Sequence, residues 1–240
     1  MVGILFENPG HSAVFQCEPE GHFCLKLIKS RRIFAAEKLA YEQLCGPAKD
    51  LFLPIYFFFQ VFAPPRPSVA TLKRWPQVRF QEESWQGYFM RQGQHSLRDI
   101  LYKPLRFSQD EHDALLSFML REKELALSAD RQHPAVSTGV PVRFKPTQTV
   151  QLSLSLAALQ LLRRLHAQGW AHGDSHLGNF VYMAGTLYAI DCERTYATSE
   201  PVQHLLDIQE LFGHISSIMI RIQAPNEWDM RDIQAIYFHR

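Results

Sequence analysis

The run LHAQGWAHGDSHLGNF (165–180), continuing into VYMAGTLYAIDCE (181–193), decides how this chain folds. Its middle holds an aspartate, two histidines, two glycines and an asparagine, none of which builds a hydrophobic core. The residues after it are β in character. Phe180 to Tyr182 and Thr186 to Ile190 are short alternating runs around the turn Met183-Ala184-Gly185, the pattern of a hairpin. A hairpin brings its two ends together, so Asn179 lies beside Asp191, and Asp174 on the preceding loop can face the same point. Two carboxylates and a carboxamide oxygen converging there make a hard, oxygen-rich site suited to Mg2+, which keeps several waters and shares phosphate oxygens. A nucleoside triphosphate is the matching further ligand.

Working outward, TVQLSLSLAALQLLRRLHAQG (149–169) repeats Leu152, Leu156, Leu159, Leu162 and Leu165 at helical spacing and stops at Gly169. SQDEHDALLSFMLREKELALS (108–128) opens on Ser108 with Glu111 three residues later, a capping-box signature. A further helix is expected over 202–222. The first third reads differently. GILFENPGHSAVFQCEPEGHFCLKLIKS (3–30) breaks at Asn8-Pro9-Gly10 and at Glu18-Pro19-Glu20-Gly21, which predicts three antiparallel strands. One amphipathic helix comes next over 32–46, ending at Gly46, then β pattern at 51–62 and 85–91. Segments 63–84 and 129–148 read as inserted loops. The expected fold class is α+β in two lobes: residues 1–92, an antiparallel sheet with one helix, and residues 93–240, mainly helical.

Composition narrows the partners. With 46% hydrophobic residues in 240 the chain has ample core, and 25 Lys+Arg against 24 Asp+Glu give no bulk charge for nucleic acid or an anionic membrane surface. The most apolar stretch, LFLPIYFFFQVFA (51–63), is shorter than the roughly 20 residues a bilayer span needs and carries Pro54 and Gln60, so it reads as a buried strand or strand pair. MVGILFENPG (1–10) lacks the basic flank and apolar length of a signal peptide, which predicts a chain that begins here. Cys17, Cys24, Cys45 and Cys192 show no metal-ligand spacing and read as reduced thiols, mostly in the core, of a cytoplasmic protein without a transmembrane segment.

Phosphoryl transfer asks for metal ions, a cation on the phosphates, and a carboxylate to orient and deprotonate the attacking hydroxyl. The cation is on offer in FCLKLI (23–28), where Lys26 interrupts an apolar strand that has no structural use for an ammonium. Lys29, at the strand end, is its rival. Glu37 on the next helix can hold Lys26, with Glu42 on the same helix as the alternative. His172 and His176 have metal-ligand chemistry but no third nitrogen or sulfur beside them. They read instead as a packing residue under the loop (His172) and a residue facing the metal surroundings or substrate (His176).

LHAQGWAHGDSHLGNF followed by AIDCE resembles the catalytic loop and metal motif of the protein-kinase-like superfamily. The likeness is strongest to its atypical branch of aminoglycoside and choline phosphotransferases, RIO kinases and lipopolysaccharide core kinases. His-x-Asp, an Asn five residues on, a hairpin and a further Asp are met by His172, Asp174, Asn179 and Asp191. The resemblance implies that Asp174 is the catalytic base, that Asn179 and Asp191 hold Mg2+, and that Lys26, partnered by Glu37, contacts the α- and β-phosphates of ATP. It implies phosphate contacts from backbone near Gly10 and Ser12. It also implies an adenine site at YFMRQG (88–93), which includes Met90, with Val14 and Ile190 as apolar walls. Asp207 would anchor the catalytic-loop backbone.

Three departures from the pattern sharpen the expectation. Gly173 stands where protein kinases carry an arginine, which argues against control by a phosphorylated loop. Cys192-Glu193 replaces Phe-Gly. The segment from Asp191 to the helix at 202 is too short for a peptide-docking activation loop. The implied activity is transfer of the ATP γ-phosphate to a hydroxyl of a protein Ser/Thr, or of a sugar or lipid-linked glycan. The alternative is a pseudokinase, a nucleotide-binding regulatory module.

Overall fold

A computed structural model of the chain describes residues 3–8, 12–17, 23–61, 85–102, 105–126, 142–143 and 148–221. Gly10, the 63–84 insert, most of 129–148 and the segment after 221 lie outside the described residues. The chain divides into two compact units, Met1–Cys45 with Leu53–Gln92, and Gly46–Phe52 with Gly93–Arg240.

The described part of the first unit is a five-stranded antiparallel sheet. Its strands are β1 (Gly3–Asn8), β2 (Ser12–Cys17), β3 (Phe23–Ile28), β4 (Ile55–Val61) and β5 (Trp85–Arg91), in the order β1-β2-β3-β5-β4. The register places Lys26 of β3 between Val14 of β2 and Tyr88 of β5. A Cβ on Gly87 would lie 2.2 Å from the Lys26 carbonyl oxygen, so only glycine lets β5 approach there. Among the described residues one helix, α1 (Arg31–Gln43), serves this sheet, and Ser30 caps it by accepting the Ile33 N–H at 3.3 Å. Its core is aromatic: Phe58 meets Phe34, Tyr41 and Tyr88 with ring centroids 5.9, 6.0 and 5.3 Å away.

Three local expectations change here. The helix stops at Gln43 rather than running to Gly46. Leu44, only 2% exposed, leaves it in extended conformation, and Gly46, with φ +49°, opens the four-residue α2 (Gly46–Lys49) instead of closing α1. The described part of the 51–63 stretch is a strand only from Ile55 on, and that strand is not buried throughout. Residues 51–54 precede β4, which is the sheet edge, and Tyr56 and Phe57 are 51% and 54% exposed among the described residues. Pro54, which has no N–H to give, contributes only its carbonyl, accepting from Arg91 N–H at 3.0 Å. Of the cysteines, Cys24 and Cys192 are buried but Cys45 is exposed, and none of the four forms a disulfide. Burial, with Cys17 nearby, pushes the Cys24 thiol up to about 12, and Lys26 offsets this only in part.

The second unit is mainly helical. After β6 (His95–Ser96) come α3 (Leu97–Tyr102), β7 (Arg106–Phe107), α4 (Gln109–Ala126), β8 (Val142–Arg143) and α5 (Gln148–Ala167). The capping box at the start of α4 is reciprocal: Ser108 Oγ accepts the Glu111 N–H, and Glu111 Oε2 accepts the Ser108 N–H at 2.9 Å. Helix α5 packs against α4 and against α6 (Pro201–Arg221), burying Leu154, Leu162 and Leu165 completely. Gly169, with φ +76°, turns the chain out of α5 as its spacing predicts.

Beyond Gly169, β9 (Trp170–Ala171) leads into the polar loop, and β10 (Phe180–Met183) and β11 (Thr186–Ala189) form the hairpin. The hairpin turn is Ala184-Gly185, both at positive φ, the two-residue connection that matches strand twist. Strand β6 adds a third strand through Val181 opposite Ser96. Finally β12 (Tyr196–Ala197) pairs with β9, so the chain entering the loop is tied to the chain leaving Asp191. The two units together give the α+β class expected from the sequence: one antiparallel sheet with a helix, one mainly helical body. No helix among the described residues is long and apolar enough to cross a membrane.

Candidate functional site

In the first unit the structure brings Lys26 and Glu37 together. Lys26 Nζ lies 3.0 Å from Glu37 Oε1 and donates to Oε2 at 3.2 Å, and the glutamate side chain is fully buried. Tyr88 completes the group, its hydroxyl donating to Glu37 Oε1 at 2.5 Å and its ring lying 5.5 Å from the ammonium. The rivals are placed elsewhere. Lys29 is exposed, and Glu42 makes a surface pair with Lys38 at 3.8 Å. Strand β3 decides between the lysines, because Lys26 lies inside it and is buried whereas Lys29 falls just past its end at Ile28. Ser12, Val14 and Met90 sit on the same sheet, each partly buried.

In the second unit the loop before the hairpin is fastened from both sides. Asp207 on α6 accepts the backbone N–H of His172 at 2.7 Å on one oxygen and that of Gly173 at 2.8 Å on the other. His166 of α5 adds a contact from Nε2 to Asp207 Oδ2 at 2.9 Å. Thus Asp207 is an anchor of this loop backbone, with His166 as a partner that sequence reasoning missed. Burial works to raise the Asp207 pKa, but His166 and the two amides outweigh it and hold the carboxyl below its usual value.

Gly173 acquires a second reason. Its φ is +75°, and a Cβ there would lie 2.3 Å from the Arg194 carbonyl oxygen, so no side chain fits whatever its regulatory value. Asp174 comes next, its side chain 21% exposed with Arg194 Nη1 3.9 Å from Oδ1. Asn179 is buried, and its Nδ2 donates to the Asp174 carbonyl at 2.9 Å. Across the hairpin, Ile190 N–H donates to the Asn179 carbonyl at 2.9 Å, and Asp191 adjoins it in the left-handed region with φ 56°. A non-glycine residue held there is a local strain of the sort that collects at functional sites. His176 is partly buried, and its Nδ1 accepts the Gly178 N–H at 3.0 Å, capping the short 3-10 turn Leu177–Asn179.

Asn179 and Asp191 are the oxygen donors that the resemblance assigns to Mg2+. Asn179 points its amide nitrogen into the loop, which leaves the carboxamide oxygen as the metal-type donor, and Asp191 adds a carboxylate. Among the described residues no group of three or more His, Cys, Asp or Glu side chains is arranged to hold a metal. One carboxylate and one carboxamide are what a cation retaining water and phosphate ligands uses.

His172 is fully buried between Phe52 and Phe180, each ring centroid 5.8 Å away, and neither ring nitrogen has a hydrogen-bond partner. Burial lowers its pKa from the ordinary 6.5, against the opposing pull of Asp207, Asp174, Asp191 and Glu210. The unfolded chain therefore binds this proton more tightly than the folded one. Stability from this group is complete above about pH 6.5 and is lost as pH falls below it, by at most about 1.4 kcal/mol per pH unit. His95 and His204 are also lowered by burial and act with the same sign. The expected result is a melting temperature that drops between pH 7.5 and pH 5.5, and drops less in His172→Phe. Parallel melting curves of pH dependence for the two proteins would contradict this.

No family model matches the chain, and no curated protein does. Among solved structures it resembles the PAN3 pseudokinase of Neurospora crassa, at 10% identity and a TM-score of 0.44, over 98% of this chain and 51% of that one. It also resembles the ROP18 kinase domain, determined in complex with AMP-PNP and sucrose, at 14% identity and a TM-score of 0.44, over 81% of this chain and 51% of that one. The chain spans about half the length of either.

Proposed function

We propose that the chain is an ATP- and Mg2+-dependent phosphotransferase of the protein-kinase-like type, moving the γ-phosphate to a hydroxyl of a protein Ser/Thr or of a sugar or lipid-linked glycan. Residues 1–92 serve the nucleotide and residues 93–240 the metal and acceptor. The observation that carries this reading is the state of the loop around Asp174. His172 and Ser175 are 0% exposed and Asn179 3%, all with backbone or side chain hydrogen-bonded, while the Asp174 carboxylate among them keeps partial exposure, 21%. A rigid backbone presenting one accessible carboxylate is the arrangement a general base needs.

In this reading Asp174 accepts the proton of the attacking hydroxyl. Lys26, oriented by Glu37 and Tyr88, would neutralise the α- and β-phosphates, a role the resemblance also extends to the sequence near Gly10 and Ser12. Val14, Met90 and Ile190 are the apolar residues the resemblance assigns to the base. Asn179 and Asp191 would hold Mg2+, which supplies charge neutralisation on the phosphate oxygens when bound. Lys26 and Glu37 support the assignment because a buried ion pair is a costly way to fill a sheet that apolar side chains would fill as well.

The experiment is turnover of Mg-ATP with protein, sugar and lipid-linked acceptors, comparing wild type with Asp191→Ala. Wild type should release ADP and label an acceptor. Asp191→Ala should do neither at a comparable rate, its activity falling by at least about a hundredfold for loss of a transition-state charge contact. If the wild type binds nucleotide and moves phosphate to no acceptor, to itself or to water, the chain is a nucleotide-binding regulatory module instead.

A further inference from the structure

The backbone on the far side of Asp174 is fastened by a second carboxylate, that of Glu210. Ser175 N–H donates to Glu210 Oε2 at 2.7 Å, and Ser175 Oγ donates to the same oxygen at 3.3 Å and to the Asp207 carbonyl at 2.5 Å. Ser175 is fully buried, so water cannot take over either donor. Asp207 and Glu210 are three apart on α6, which puts both on one face of that helix. Between them they receive the N–H groups of residues 172, 173 and 175, and the carbonyl of Asp174 itself is held by Asn179. The four contacts hold the backbone on both sides of Asp174 and none of them takes its carboxylate.

We propose that Glu210 is a positioning residue for the transfer reaction, fixing through Ser175 the backbone that aims Asp174. This rests on the phosphotransferase reading above. Hydrogen bonds to an ionised acceptor are among the strong ones, and losing one at a buried amide shifts a local opening equilibrium by about tenfold or more. A misplacement of about 1 Å in a reacting group lowers rate by roughly a hundredfold, so a loosened loop shows in kcat rather than in nucleotide affinity.

The test uses the full chain in four forms: wild type, Glu210→Ala, Glu210→Asp and Glu210→Gln. Aspartate keeps the charge but is one methylene too short, and it serves if the alanine variant does not fold. Glutamine keeps the length and one acceptor oxygen. Amide hydrogen exchange at Ser175, read by NMR without nucleotide, should quicken about tenfold or more in the Ala and Asp forms and return toward wild type in the Gln form. Mg-ATP turnover should fall about tenfold to a hundredfold in kcat in the same two forms, with the Kd for ATP unchanged and activity restored by Gln. Exchange at Ser175 that stays at the wild-type rate overturns the proposal, as does quickened exchange with unchanged kcat. A wild type with no turnover at all defeats the phosphotransferase reading instead, and the exchange measurement still reports whether Glu210 holds the loop.

Discussion

Asp174→Asn is expected to reduce phosphoryl transfer by about 10²–10⁴-fold, the range that a positioned general base contributes, with ATP affinity within about twofold of wild type. The substitution is nearly isosteric and removes only the proton-accepting charge. The contacts that shape the loop survive it: Asp207 binds residues 172 and 173, Glu210 binds Ser175, and Asn179 reaches the backbone carbonyl of residue 174 rather than its side chain. Loss of the 3.9 Å approach to Arg194, whose side chain is 63% exposed, has little effect on stability. Single-turnover transfer and equilibrium nucleotide binding, measured on the same preparation, separate the two effects. A variant that transfers phosphate at the wild-type rate would remove Asp174 from the chemistry.

Lys26→Met should produce the largest loss of stability, about 3–5 kcal/mol, because it leaves the Glu37 carboxylate buried without its cation. Glu37 is 0% exposed and cannot turn toward water. The Tyr88 hydroxyl still donates to it, which satisfies one lone pair but no charge. The double variant Lys26→Met with Glu37→Gln should recover much of the loss, since neither group is then ionised. Urea unfolding of the two singles and the double gives the coupling directly. Equal stabilities for wild type and Lys26→Met would mean that the pair contributes nothing to the fold. The same Lys26 variant should also lose ATP affinity, so binding must be measured well below the unfolding midpoint.

Much of the fold was legible because it depends on short-range pattern. Alternation in 3–30 and 85–91, the leucine spacing in 149–169, the Ser108–Glu111 capping box and the turn at Ala184-Gly185 are properties of neighbouring residues. They appear in the structure where the sequence puts them. The errors came where a distant partner intervenes. Gly46 looks like a helix stop, yet burial of Leu44 ends the helix earlier. The 51–63 stretch looks buried, yet among the described residues β4 pairs on one side only and leaves Tyr56 and Phe57 exposed. Two-residue strands such as β9 and β12 carry no periodicity and exist only through each other.

The candidate site divides in the same way. Asp174, Asn179 and Asp191 announced themselves because loop residues of that chemistry lie close together in the chain. Glu210 and His166 gave only faint signals, an acid three residues after Asp207 and a histidine inside an apolar helix, since both act on a loop that is remote in sequence or hidden by burial.

By itself, then, the amino-acid order determined the α+β class, the hairpin behind Asn179 and the identity of the polar groups available for chemistry. Tertiary structure supplied the contacts themselves: it set Glu37, the partner the sequence favoured over Glu42, against Lys26, and it alone put two acids of α6 rather than solvent on the amides around Asp174. The physical reason is that backbone propensity and hydrophobic period act over a few residues, whereas pairing a buried charge or amide is settled by whatever packing brings within about 3 Å.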